Sequence, residues 1–350
     1  MSSRRRSYVR PVEVGTPYAL VVLALVGGAI TIPRFLSSGH LDSMSATAAY
    51  IGIIAIGQTI VLLLGGIDLS IPYVLNLAAV LLTGLGASGL SGGGSLAVVL
   101  GVGLGAGLVN GLGVAVLDVP PLVMTLGMNS VLQGVSLMYT GGSPVGTAPG
   151  FVTTLSTGVD GIPYVDMLWA GLVVAVTFAL VFTRFGRSVY SIGANRRASE
   201  LCGLPVRRTL VVAYALSGLS AALGGALLAG YSGQAYLGMG DNYLLPSIAV
   251  VVIGGTSILG GKGSYVQTVA GAMLITIIES ALLTIGQAGQ DVLYGSVILF
   301  MAYFNQVTTS ASRQRARLTW GEIKAFRGWL EPVPRPGESV APEREPAVPS

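Results

Sequence analysis

The sequence predicts an all-α, polytopic membrane protein of about ten transmembrane helices with both termini in the cytoplasm. Three observations carry that expectation. The chain is 52% hydrophobic and 10% charged, where soluble domains carry about 25% charge. Glycine occupies 51 of 350 positions, about double the ordinary share of roughly 7%. No Lys or Arg occurs between Phe35 and Thr183, and a stretch that long without a cation belongs in lipid. The same counts limit the chemistry: one histidine, His40, and one cysteine, Cys202, cannot supply a Ser-His-Asp triad, a multi-cysteine zinc site or a disulfide. No metal site or cofactor is expected.

A membrane helix needs about 20 apolar residues, or about 17 at the short end. On that rule spans lie near 16–36, 44–64, 71–89, 95–117, 121–140, 166–183, 209–230, 244–260, 265–284 and 290–307. The first is read as a retained helix, not a signal peptide, because its apolar run exceeds a signal h-region and no small-residue cleavage site precedes Arg34. The eighth and tenth are short, which leaves open nine or eight spans with re-entrant segments. Cations set the orientation. Arg4, Arg5, Arg6 and Arg10 precede the first span, Arg184, Arg187, Arg196, Arg197, Arg207 and Arg208 sit between the sixth and seventh, Lys262 follows the eighth, and the rest lie beyond the tenth. With ten spans and a cytoplasmic N-terminus, every cation except Arg34 falls on the cytoplasmic side, as the positive-inside rule requires. Residues 1–15 then form a cytoplasmic tail, 16–307 the membrane domain with a cytoplasmic loop at 184–208, and 308–350 a Pro-rich tail expected to be disordered, with a short amphipathic piece at 320–330.

Glycines concentrate at helix-packing spacing. Gly101/Gly105, Gly103/Gly107 and Gly107/Gly111 in the fourth span, and Ser217 to Gly225 in the seventh, permit close backbone approach where lipid offers no hydrophobic drive. Packing within the subunit, a sliding surface and a subunit interface are all compatible with it. An internal echo pairs Leu63-Leu64-Gly65-Gly66 with Ile253-Gly254-Gly255, and reads either as duplicated halves or as glycine C-caps.

Polar residues within spans are expensive unless partnered or wet. They include Gln58, Asn76, Asn110, Thr125, Asn129, Gln133 and Glu279. Thr125, Asn129 and Gln133 recur every four residues and form one uncharged stripe on a helix, suited to a neutral, hydroxyl-rich cargo or to interhelical hydrogen bonding. Glu279 is a lone carboxylate that either caps a polar neighbour or relays a proton. Asp68 either caps the helix after Ser70 or pins a helix break. The candidate path is therefore Gln58, Asp68, Asn76, Thr125, Asn129, Gln133 and Glu279. The Gly-Lys pair at 261–262 fails the phosphate-binding loop pattern, because Thr256 replaces its first glycine and Gly263 its final Ser or Thr. In the loop 184–208, Asn195 is placed to cap a short helix that Gly203 and Pro205 end. That helix suits either a docking element or a topogenic basic loop.

At this loop the sequence resembles the permease subunit of ribose, xylose, arabinose and galactoside ABC importers, from about residue 44 to 305. The likeness rests on Gly57-Gln58-Thr59, Gly65-Gly66-Ile67-Asp68-Leu69-Ser70, Val119-Pro120-Pro121, Tyr139-Thr140-Gly141-Gly142, Thr183-Arg184-Phe185-Gly186-Arg187, Gly193-Ala194-Asn195 and Gly254-Gly255-Thr256-Ser257. The resemblance implies a multi-pass protein of the bacterial cytoplasmic membrane that works as a homodimer or as a pair of related permeases. It implies docking to a separate ABC ATPase through Arg187, Gly193, Ala194, Asn195, Ala198, Leu201, Gly203 and Val206. It further implies that an extracytoplasmic sugar-binding protein delivers cargo to segments near 140–161 and 231–243, with no nucleic-acid partner and no ATP site on this chain. Arg196, Arg197, Cys202, Gly233, Gln234 and Tyr236 depart from the family's pattern. A branched-chain amino acid permease and a proton-coupled secondary transporter using Glu279 stand as alternatives.

Overall fold

The computed structural model describes residues 11–158 and 164–281, together with 289–292, 294–296 and 298–299. All of them belong to the first of two compact units, Met1–Ala302. The second unit, with the predicted C-terminal tail and its amphipathic piece, and the N-terminal arginines up to Arg10 lie outside the described residues, as does part of the predicted tenth span.

Every regular element among the described residues is helical. They are α1 Pro11–Thr31, α2 Ser38–Leu63, α3 Ile71–Ala87, α4 Gly92–Ala115, α5 Pro121–Thr140, α6 Gly150–Thr157, α7 Tyr164–Phe182, α8 Arg184–Ala194, α9 Arg196–Leu201, α10 Val206–Ser232, α11 Leu244–Ile253 and α12 Tyr265–Ala281. Local chemistry sets their ends. Pro72 and Pro121 start α3 and α5, where a missing N–H costs nothing. The hydroxyls of Ser91 and Thr183 accept from Gly94 N and Gly186 N to open α4 and α8. Left-handed glycines Gly141 and Gly233 close α5 and α10.

Helices α2 and α10 form the interior, and α3, α4, α11 and α12 pack around them. The glycine pattern explains how closely they pack. A Cβ on Gly103 would stand 2.5 Å from Gly218 O, one on Gly107 2.2 Å from Tyr214 O, and one on Gly111 2.7 Å from Val211 Cα. The 103/107/111 row is therefore a seam within the subunit, where the helices touch through backbone. Gly101 and Gly105 meet nothing within 4 Å and take no part in it.

Helices α2, α4, α5, α7 and α10 are long and apolar enough to cross a membrane, and α1, α3 and α12 are shorter apolar helices. The predicted eighth span, 244–260, differs from expectation. Helix ends after ten residues at Ile253, a rise of about 15 Å against a hydrocarbon core of about 30 Å. The missing half is supplied by the segment 233–243, which is irregular apart from a single 3-10 turn at Asp241–Tyr243. It dips between helices, so that a Cβ on Gly240 would stand 1.9 Å from Pro72 O at the start of α3. Irregular backbone at membrane depth survives only where protein encloses it.

The α4–α10 seam generates a test. Gly218→Val, whose Cβ would stand 2.1 Å from Gly103 O, should cost at least ~3 kcal/mol, the upper range for overpacking, and lower the melting temperature of the detergent-purified chain. Gly101→Val should leave it unchanged.

Candidate conduit and docking element

The site is built on two helix breaks. Helix α2 ends in a Schellman motif, with Gly65 N on Leu62 O at 2.8 Å, Gly66 N on Val61 O at 3.0 Å, and Gly65 left-handed at φ 82°. Helix α11 ends identically, with Gly255 N on Val252 O at 2.9 Å, Thr256 N on Val251 O at 3.1 Å, and Gly255 at φ 100°. The two halves of the sequence echo thus share one capping geometry. They also lie side by side, since Gly261 N donates to Leu63 O at 2.9 Å.

Beyond Gly66 the chain turns back into the bundle as an extended segment, and its side of the ledger is Asp68, 1% exposed. One carboxylate oxygen of Asp68 accepts from Ser70 N at 2.9 Å and from the Ser70 hydroxyl at 2.6 Å. The other accepts from the Ser217 hydroxyl of α10 at 2.7 Å. Asn110 of α4 donates to Ser70 Oγ at 2.9 Å, and Leu69 N donates to Thr125 Oγ1 of α5 at 3.0 Å. Ser217 lies eleven residues beyond Val206 at the start of α10, about 16 Å along the helix, so the network sits near mid-depth. Asp68 therefore pins a break inside the bundle and does not cap a helix at the inner surface. Helix α3 starts at that depth and runs alongside α10, where a Cβ on Gly225 would stand 2.2 Å from Leu75 O.

The candidate path residues fall into separate places. Thr125 bonds Leu69 within the break. Gln133, exposed, donates to Tyr73 Oη at 2.7 Å, and Asn129 between them leaves Oδ1 without a protein partner. The predicted stripe thus runs along the α3–α5 seam. Asn76 Oδ1 accepts from Gly238 N at 2.9 Å and Met239 N at 3.3 Å, holding the dipping segment against α3. Gln58 is fully buried in α2 with neither amide atom partnered. Glu279 stands apart, at the end of α12, and accepts from the Tyr294 hydroxyl. Ser70, Ser217 and Tyr73 were missed as site residues. The serines fall in a motif and a small-residue row, where packing explains a small side chain equally well.

The loop 184–208 folds as predicted in outline. Asn195 Oδ1 accepts from Ala198 N at 3.0 Å and opens α9. Gly203, at φ 74°, follows its end. Asn195, Ala198, Gly203 and Leu201 are exposed, the last by 84%, while Val206 is buried. Arg196 bridges Glu200 and Asp118 at 3.3 Å each, tying α9 to the α4–α5 turn. Arg187 donates to Phe182 O at 3.3 Å. Gly193 and Ala194 form the inner end of the element. A Cβ on Gly193 would stand 1.8 Å from Leu63 O and 2.6 Å from Gly261 N, and Ala194 packs on Gly261. Tyr190 donates to Gly263 O at 2.9 Å, and burial pushes its phenol up to about 12, which keeps the donor protonated. The element that ends in an exposed α9 is thus seated on the end of α2 and on the Gly261–Gly263 loop that follows the α11 turn.

The family model described as the permease component of branched-chain amino acid transport systems matches residues 40–302. The ribose import permease protein RbsC of Bacillus subtilis is 36% identical over 294 residues, covering 82% of this chain and 90% of that protein. Its namesake in Escherichia coli K12 is 31% identical over 292 residues, covering 81% and 90%. The autoinducer 2 import system permease protein LsrD of Photorhabdus temperata is 30% identical over 329 residues, covering 89% and 93%. No solved structure matches the chain significantly.

The Asp68 network yields a graded series. Asp68→Ala leaves Ser70 N and the Ser217 hydroxyl unpaired and should cost ~3 kcal/mol, and Ser217→Ala ~1 kcal/mol. Thermal melts in one detergent would check the order, which fails if the two variants melt alike.

Proposed function

The chain belongs to the permease-component family of branched-chain amino acid transport systems, and from that premise we propose that it is the membrane subunit of an ABC importer that passes a neutral monosaccharide, a pentose or hexose, into the cell. It is a multi-pass protein of the cytoplasmic membrane. In this reading a separate ATPase docks on the loop 184–208 through Arg187, Gly193, Ala194, Asn195, Ala198, Leu201, Gly203 and Val206. An extracytoplasmic sugar-binding protein delivers cargo, and a second permease copy completes the conduit.

One observation carries the proposal: the contact of Gly193 and Ala194 with Leu63 and Gly261. Through it, a force on α9 reaches the end of α2 directly and α11 through the Gly254–Gly263 loop. Both ends lead directly to the mid-depth breaks. The residues along the α3–α5 seam are uncharged hydrogen-bonding groups, which suits a neutral hydroxylated cargo bound weakly and released readily. The names of the relatives favour sugars over branched-chain amino acids, and a docking element has no use in a proton-coupled carrier.

Replacing Asn195–Gly203 with a neutral linker should abolish co-purification with the ATPase and ATP-dependent uptake in proteoliposomes. Retained ATPase binding with unchanged uptake would overturn the importer reading. Gly193→Val should keep ATPase binding but cut uptake at least ~10-fold, since a branched side chain cannot fit against Leu63 O without moving the element.

A further inference from the structure

At the end of the bundle opposite α8 and α9 lies a cavity of about 320 Å³ between α2, α12 and the start of α11. That is the small end of the range for single-ligand pockets. It is separate from the Asp68 network and from the α3–α5 seam. We propose that it is a binding site for one neutral, polyhydroxylated molecule of monosaccharide size, an outer station for the cargo. This inference rests on the sugar-importer reading.

The lining carries the argument. Glu279 presents a carboxylate whose one oxygen is engaged by the Tyr294 hydroxyl. Ser280 Oγ and His40 Nε2 lie 2.7 Å apart as a hydrogen-bonded pair. Thr276, 3% exposed and lining the same cavity, has a hydroxyl with no protein partner. Such a group is costly to bury unless something bonds to it. Asn242 adds an amide that both donates and accepts. The wall therefore offers both donors and acceptors, as a ring of hydroxyls needs, because each sugar hydroxyl also does both. Ile51 and the Tyr243 ring give an apolar wall for C–H groups. Among the described residues no Lys or Arg lines the cavity, and the one charged group there is the Glu279 carboxylate.

The site also connects to the rest of the structure. Asn242 and Tyr243 belong to the 3-10 turn that ends the dipping segment, and Tyr243 N donates to Gly240 O at 2.9 Å. Gly240 packs on Pro72, two residues from Ser70. A molecule bonded to Asn242 thus touches the segment that rests on the Asp68 break.

The test uses the full chain in nanodiscs with D-ribose, D-xylose and D-galactose as probes and L-leucine as the contrasting one, read by saturation-transfer NMR. At least one sugar should bind saturably. Thr276→Val and Glu279→Gln should each weaken that binding roughly fivefold without moving the melting temperature, while Ser88→Ala, at the far end of α3, should change nothing. Preference for L-leucine, binding of no sugar, or unchanged binding in both cavity variants would each overturn the assignment. Uptake by the assembled importer separates the two levels. If the importer moves no sugar, the functional reading falls. If it moves sugar and both variants bind and transport like the parent, only the cavity assignment falls.

Discussion

The carboxylate of Asp68 is the constraint on which the arrangement depends. Between Leu64 and Ser70 the chain leaves helical geometry inside a bundle where water cannot satisfy its peptide groups. Every released donor must find a protein acceptor. Gly65 and Gly66 turn back onto α2, Leu69 N finds Thr125, and Ser70 N finds Asp68. Asp68 then needs donors of its own, and Ser70 and Ser217 supply them. That requirement fixes the height at which α3 starts, and with it the register of α3 against α10. A longer side chain at Ser217 would displace Gly57, whose Cβ would already stand 2.2 Å from Ser217 Cα. The small residues of α10 are thus dictated by the break as much as by helix packing.

The second break obeys the same logic with different groups. Asn76 takes two backbone N–H groups of the dipping segment with one oxygen, and Gly240 lies flat on Pro72. The two irregular segments consequently meet at the first turn of α3, one arriving from each end of the bundle. The end of α2 and the loop that follows α11 meet at the cationic end beneath Gly193. A displacement there has two rigid outlets, and both return to the same depth. Half-helices joined by enclosed irregular backbone are the usual construction where a transporter needs a movable element inside the membrane.

Much of this was legible in the sequence, and the limits are physical. Composition and cation placement gave the helical membrane class, and Asn195, Gly203 and Pro205 gave the short helix of the loop, because capping is local chemistry. The Gly-Gly echo could be seen, but its two readings could not be told apart, since a Schellman turn and a duplicated half use the same glycines; the structure supplies the shared capping geometry. The segment 244–260 looked like a span because hydropathy does not register where a helix stops inside protein, and Gly254-Gly255 is the only local sign that it does. The polar residues were identified individually, yet their grouping was not. Thr125 and Gln133 share a seam, whereas Glu279 lies beside Ser280, which the fold brings to His40 across 240 positions in sequence. Long-range pairing of that kind has no periodic signature.

Two helices with exposed faces make opposite demands on their surroundings. Helix α7 exposes Met167, Val174, Phe178, Val181 and Phe182, all apolar and suited to lipid. Helix α5 exposes Leu126, Val131 and Val135 together with Ser130 and Gln133. The Ser130 hydroxyl is satisfied by Leu126 O in its own helix, at 3.3 Å, so it tolerates hydrocarbon. The Gln133 amide is not so protected: its nitrogen has Tyr73, but the amide carries a second N–H and a carbonyl oxygen with two lone pairs. Hydrocarbon offers nothing to those groups. The face of α5 that carries Gln133 and Asn129 is therefore matched to a wet path or a second protein surface, and α7 is not. Gln133 is thus the one feature of the exposed α5 face that hydrocarbon does not serve, and it fits the proposed reading in which that face meets water or protein.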